Sequence, residues 1–226
     1  MKYKAIFFDR DSTLTYFNPE KKSWYLKTIE NWSGKKFKMD YDQMMALFDL
    51  SGYPKDGLKS IEDEKVFWNK YYENLLIREG VTEETSKKAQ LLFAELWCNE
   101  DKVLYSEVIE VLEYFKEKGY KIGIISDTSP SLQISLENLG LGKYIDSYTC
   151  SDLVGFMKPD PRIFHYALET LGMSANQCLY VDDDKAEADG ARDVGFTSFH
   201  IDRTDEKNGP WRIKSLLEIV AFVEKE

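Results

Sequence analysis

Residues that cross-link a chain or bind soft metals are scarce in this sequence: its 226 residues include 3 cysteines and 2 histidines. Cys98, Cys150 and Cys178 are odd in number and widely spaced, without a Cys-x-x-Cys pair, and His165 and His200 are the only histidines to complement them. Neither a disulfide framework nor a zinc site is readable, and the thiols are expected to be small buried hydrophobes. No apolar run approaches the roughly 18 residues that span a bilayer, and the first apolar stretch ends at Asp9, too early for a signal peptide. A cytoplasmic protein without a membrane partner is expected. Positive charge is also in deficit, with 30 Lys and Arg against 40 Asp and Glu and a net charge of −10. Phosphate backbones are bound by clustered Lys and Arg, so nucleic acid is disfavoured as the main partner.

Apolar residues, in contrast, are plentiful. Hydrophobic residues make up 43% and aromatics 14% of the chain, enough for a sizeable core. Five short runs read as strands: Ala5-Ile6-Phe7-Phe8, Lys121-Ile122-Gly123-Ile124-Ile125, Ile145-Asp146-Ser147-Tyr148-Thr149, Cys178-Leu179-Tyr180-Val181 and Thr197-Ser198-Phe199-His200-Ile201. Several are continuously apolar, the pattern of strands covered on both faces. Helical periods separate them, through Leu104 to Phe115, Leu132 to Leu139, Ile163 to Leu171 and Ile213 to Val223. The alternation predicts an α/β fold, a three-layer Rossmann-like core around a mainly parallel five-stranded sheet. Residues 16–100 break the pattern. They show no convincing strand, read as helical over 62–79 and 83–97, and hold Trp24, Trp32, Trp68 and Trp97. Such a length exceeds a βα loop of about 2–6 residues and predicts an inserted helical domain. The core is then residues 1–15 and 101–226, and the insert residues 16–100.

Ligands of open α/β sheets bind beyond the carboxyl ends of the strands, and here those ends are acidic. The first strand runs into Asp9-Arg10-Asp11-Ser12-Thr13, the second into Ser126-Asp127-Thr128 and the fourth into Asp182-Asp183-Asp184. One such cluster is an ordinary turn or cap. Three on one rim of a parallel sheet call for a shared proton or a cation, and a hard ion such as Mg²⁺ suits carboxylates and phosphate oxygens. Lys158, in Lys158-Pro159-Asp160-Pro161, is the cation placed to neutralise a phosphate and a carboxylate together.

These segments, in this order, resemble the four motifs of the haloacid dehalogenase superfamily, and the long insertion after the first resembles its first-type helical cap. The resemblance implies Asp9 as nucleophile and Asp11 as general acid and base, with Lys158 completing the catalytic set. It implies Mg²⁺ held by Asp9, the Asp11 carbonyl, Asp183 and Asp182, the last as a direct or outer ligand. It also implies a phosphate cradle from Ser12, Thr13, Ser126, Asp127 and Lys158. Ser12 stands where the family usually has Gly, and Asp127 where it often has Asn or Gly. An acid at position 11 accords with phosphatases and phosphomutases rather than dehalogenases. The expected activity is therefore Mg²⁺-dependent hydrolysis of a small phosphorylated metabolite through an aspartyl-phosphate. The alternatives are a phosphomutase or other phosphotransferase, a 2-haloacid dehalogenase, and a receiver-like phospho-acceptor module. In the insert, Lys21, Lys22, Lys27, Lys35, Lys36 and Lys38 make a locally basic stretch, read as a solvated helical face ahead of an anion lure. The loop Gly52-Tyr53-Pro54-Lys55-Asp56-Gly57 resembles in position a cap substrate loop.

Overall fold

A computed structural model describes residues 2–38, 40–204 and 209–225. The chain opens with strands β1 (Ala5–Phe8) and β2 (Thr15–Phe17). Four helices come next, α1 (Pro19–Ser33), α2 (Tyr41–Ser51), α3 (Ile61–Arg78) and α4 (Thr85–Leu96). Strand β3 (Lys102–Leu104) then leads into α5 (Val108–Glu117), β4 (Lys121–Ser126), α6 (Leu132–Asn138), β5 (Ser147–Cys150), α7 (Ser151–Val154), α8 (Pro161–Leu171), β6 (Cys178–Asp182), α9 (Lys185–Val194) and β7 (Thr197–Ile201). A short β8 (Arg212–Ile213) and α10 (Leu217–Val223) complete the described elements. The chain divides into two compact units, one of Met1–Tyr16 with Leu104–Glu226 and one of Phe17–Val103. None of the described helices is long and apolar enough to cross a membrane.

The α/β unit is built on a six-stranded sheet in the order β5-β4-β1-β6-β7-β8, with parallel pairing between all neighbours. Its strands read as apolar because both faces are covered. Ile6, Phe8, Ile122, Ile124, Leu179 and Val181 face one cluster, with Val111 and Phe115 of α5. Ala5, Phe7, Ile125, Cys178 and Tyr180 face the other, with Ile163 and Phe164 of α8 and Ala191 of α9. Gly123 is required by contact: a Cβ there would lie 2.4 Å from the Phe7 ring and 2.8 Å from Ser147 Oγ. The register sets Phe8 opposite Ile124 and Val181, which brings Asp9, Ser126 and Asp182 to one end of three adjacent strands.

Three expectations need correction. Tyr16 and Phe17, placed in the strandless insert, belong to β2. The sheet has six strands rather than five, because Ile213, read as helical, pairs with Ile201 in β8. Leu104 likewise ends β3, and the helix after it starts at Val108, since Tyr105 is drawn into a backbone bond to the Leu14 carbonyl.

The second unit is helical, with the aliphatic residues Ile29, Leu47, Leu75, Leu76 and Leu92 and a nest of rings around Phe48, Phe67, Trp68 and Tyr71 at its centre. Its tryptophans belong to this packing: Trp24, Trp32 and Trp68 lie against the cluster, and Trp97 stacks on Phe93 at 5.3 Å between ring centroids. Helices α1 and α2, which periodicity did not reveal, are written in their caps. Asn18 accepts from Glu20 N ahead of Pro19, Asp40 and Gln43 form a reciprocal capping box, and Gly34 and Gly52 close the two helices in left-handed conformations.

Candidate active site

Strand β1 delivers Asp9 into the rim, its N–H bonded to the Val181 carbonyl at 2.9 Å. The chain then turns tightly. The Arg10 carbonyl accepts from Leu14 N and Thr15 N, both at 2.9 Å, and Ser12 takes a left-handed φ of 60°. A side chain from far along the sequence clamps this loop. Arg203 donates to the Thr13 carbonyl at 2.8 Å and to Glu107 at 2.6 Å, while its guanidinium carbon lies 3.5 Å from the centre of the Tyr105 ring. On the loop itself, the Arg10 guanidinium grips Asp11 Oδ2 through Nη2 at 2.7 Å and Nε at 3.2 Å. Thr15 Oγ1 lies 3.2 Å from both Asp11 Oδ1 and the Arg10 carbonyl and shares its one proton between them. The carboxylate is therefore held on both oxygens while nearly half of the side chain remains exposed.

Lys158 occupies the opposite wall. Its N–H donates to Asp127 Oδ1 at 3.1 Å, and Asp160 caps the first turn of α8 two residues later. The loop can lie this close because α9 carries a glycine at its contact point: a Cβ on Gly190 would meet Pro159 Cβ at 2.6 Å. The Lys158 ammonium, its side chain 1% exposed, reaches Asp9 at 2.8 Å, Asp182 at 2.8 Å and Glu187 at 2.7 Å. Asp182 also accepts from the Tyr180 hydroxyl and, on its other oxygen, from Asp184 N at 2.9 Å. Asp184 is accounted for locally, as the cap that accepts from Ala186 N and Glu187 N. Asp9, Asp182 and Asp183 each offer an oxygen within 4.8 Å of the others.

The electrostatics come from this crowding. Burial pushes the Asp9 carboxyl up to about 7; Lys158 opposes the rise, and Asp182 and Asp11 add to it. Burial likewise drives Glu187 up to about 8 against the pull of Lys158. For Lys158 burial works the other way, but Tyr180, Asp9, Asp182 and Glu187 outweigh it and hold the ammonium well above its ordinary value. One cation thus serves several carboxylates, and the protein alone leaves the cluster short of positive charge. The donor set is all oxygen, and a hard divalent ion fits it.

The sequence profile of haloacid dehalogenase-like hydrolases matches residues 3–195, from the first strand through the end of α9. The chain belongs to this family. A relative, "Phosphatase MT3486" of Mycobacterium tuberculosis, is 24% identical over 91% of this chain and 90% of its own. An (S)-2-haloacid dehalogenase of Pseudomonas sp. (strain YL) is 33% identical over 53% of this chain and 55% of its own. The crystal structure of a phosphatase of the same superfamily from Thermococcus onnurineus shares the fold, with a TM-score of 0.68 and 22% identity over 99% of both chains.

In this haloacid dehalogenase-like protein Asp9, Asp182, Asp183 and Lys158 meet, whereas the Asp11 carboxylate is held by Arg10 and Thr15. Ser126 is buried where β4 ends. Thr13 Oγ1 is buried without a hydrogen-bond partner among the described residues, and the Ser12 hydroxyl works against the rise that burial causes in the Asp183 carboxyl. The Asp127 carboxylate faces the Lys158 N–H. Sequence reasoning missed Glu187, Tyr180, Arg10 and Arg203. Glu187 had a signal, since it lies four residues beyond Asp183 in the first turn of a helix leaving the same strand. Arg203 had none, because its partners at Ser12 and Thr13 are 191 and 190 residues away.

Proposed function

We propose that this hydrolase is a Mg²⁺-dependent phosphatase that acts on a small phosphorylated metabolite through an aspartyl-phosphate on Asp9. The observation that carries the reading is the group of Asp9, Asp182 and Asp183, whose oxygens lie within 4.8 Å while Lys158 is already shared with Glu187. A nucleophile attacking a phosphate dianion needs its charge and that of the substrate offset; cleavage of a carbon–halogen bond has no such demand. The residues to hold the ion are Asp9, Asp183, the Asp11 carbonyl and Asp182, directly or through water. Mg²⁺ bound there neutralises the carboxylates and draws electron density from the phosphoryl oxygens.

Asp9 attacks phosphorus as the carboxylate, held by the Lys158 ammonium on one oxygen. Asp11 gives a proton to the departing oxygen, then takes one from the water that cleaves the Asp9–phosphorus mixed anhydride. Phosphate oxygens are assigned to Ser126, Thr13 and Lys158 and to the N–H groups of the Ser12 and Asp127 loops. The helical residues 16–100 are assigned as the cap that selects the substrate. The phosphatase-named relative supports this reading, as does a carboxyl at position 11.

The test is metal-dependent phosphate release from p-nitrophenyl phosphate, followed by a screen of phosphorylated sugars, nucleotides, phosphoglycolate and pyrophosphate. Release that is abolished by chelation and in Asp9→Asn supports the reading. Halide release from a 2-haloacid without phosphate release refutes it, and transfer to a second hydroxyl identifies a phosphomutase instead.

A further inference from the structure

We propose that Arg10 is a positioning residue that holds the Asp11 carboxylate in its working orientation through an Asp11–Arg10–Thr128 bridge between two strand-end loops. The inference deepens the phosphatase reading and rests on it. A side chain half exposed at the tip of a tight turn has several rotamers open to it, and a proton donor or acceptor displaced by about 1 Å loses on the order of 100-fold in rate. Asp11 is not left to sample them. Arg10 places two donors, Nη2 at 2.7 Å and Nε at 3.2 Å, on Asp11 Oδ2, and Thr15 Oγ1 shares its proton with Oδ1 at 3.2 Å.

The guanidinium is itself fixed. Its side chain is 8% exposed, and Nη2 also donates to Thr128 Oγ1 at 2.9 Å, in the loop after β4. Thr128 is pinned in turn, its N–H donating to Ser151 Oγ at 2.9 Å and its carbonyl accepting from Cys150 Sγ at 2.8 Å. The backbone beneath Asp11 is held from elsewhere, by the Arg203 bond to the Thr13 carbonyl. Arg10 thus ties the Asp11 side chain to the Ser126–Thr128 loop. The fork matters as much as the charge, because an ammonium cannot present two parallel donors.

Pre-steady-state hydrolysis of p-nitrophenyl phosphate by the Mg²⁺-loaded protein separates this role from simple damage. Nitrophenolate leaves without a proton, so the first half-step, in which the Asp9–phosphorus bond forms and the phosphorus–phenolate bond breaks, does not need Asp11. In the second, water's oxygen bonds to phosphorus, its proton goes to Asp11 and the Asp9 carboxylate departs. Arg10→Met is expected to keep the rate of the nitrophenolate burst while steady-state phosphate release falls about 10- to 100-fold, up to the lower end of a full acid–base contribution of about 100- to 10,000-fold. Arg10→Lys should show the same split, and Thr128→Val, which leaves Arg10 in place and removes its anchor, a smaller one. Should Arg10→Met melt early, Thr128→Val carries the test. Equal losses in burst and steady state, no loss, or a gain in either variant overturns the proposal. Absence of metal-dependent phosphate release in the unaltered protein refutes the phosphatase reading instead.

Discussion

Replacing Lys158 with methionine keeps the length of the side chain and removes one charge from the most crowded point of the structure. The ammonium lies within 2.8 Å of Asp9 and Asp182 and 2.7 Å of Glu187, with its side chain 1% exposed. Taking one partner from a buried ion pair costs about 3–5 kcal/mol, because the remaining charge is left unpaired. For a chain of this size that lowers the melting temperature by about 6–20 °C. The loss must also depend on pH. Asp9 and Glu187 already titrate at about 7 and about 8, above their ordinary values of 3.8 and 4.5. Groups raised in this way support the fold fully below their unfolded values and lose that support as pH rises through the folded ones. Without Lys158 both rise further, so the deficit should be smallest near pH 5 and grow as pH rises through 7 and 8. Urea unfolding followed by circular dichroism in chelator reads it. Adding Glu187→Gln to Lys158→Met should restore part of the loss, with a coupling of about 1–3 kcal/mol. A deficit under about 1 kcal/mol that is flat with pH, and additive in the double variant, would refute the shared-cation account.

Three further substitutions test the supports of the site. Gly190→Ala removes a helix-weakening glycine, worth about 1 kcal/mol of gain on propensity alone, yet its Cβ would meet Pro159 at 2.6 Å; thermal melts should show destabilisation and phosphate release should fall, because the Lys158 loop is displaced. Tyr180→Phe strips Asp182 of the buried Tyr180 hydroxyl and should cost about 1–3 kcal/mol in unfolding, with an unchanged value contradicting the assigned bond. Ser12→Ala should be less stable than Ser12→Gly by about 1–2 kcal/mol, because both lose the hydroxyl while only alanine is penalised at φ 60°.

How far the sequence discloses such a site depends on how local each signal is. The strand ends at Asp9, Ser126 and Asp182 are legible because a strand buried on both faces leaves an unbroken apolar run, and the first polar residue to break that run must lie on the rim. Helices α1 and α2 bury few residues, Ile29 in the first and Leu47 and Ser51 in the second, and their evidence is in Asn18-Pro19, in Asp40 with Gln43 and in closing glycines, each ordinary on its own. Strand β8 is two residues long and borrows its structure from β7, so Ile213 reads equally well as helix. The hidden part of the site is of another kind. Arg10 grips a neighbour in sequence, but its anchor, Thr128, is 118 residues away, and Glu187 reaches Lys158 only because α9 packs on the loop at Gly190. The Arg10–Thr128 pairing leaves no spacing to read, and Glu187 is marked only by its place four residues beyond Asp183.

The central claim is that Asp9 carries the phosphoryl group, and acid-quenched mass spectrometry of the Mg²⁺-loaded Asp11→Asn variant after mixing with p-nitrophenyl phosphate tests it directly. The account predicts an adduct of one phosphoryl group on the peptide containing Asp9, absent with chelator and absent when Asp9→Asn is added. Metal-dependent phosphate release with no adduct on Asp9, or an adduct on another residue, would contradict it.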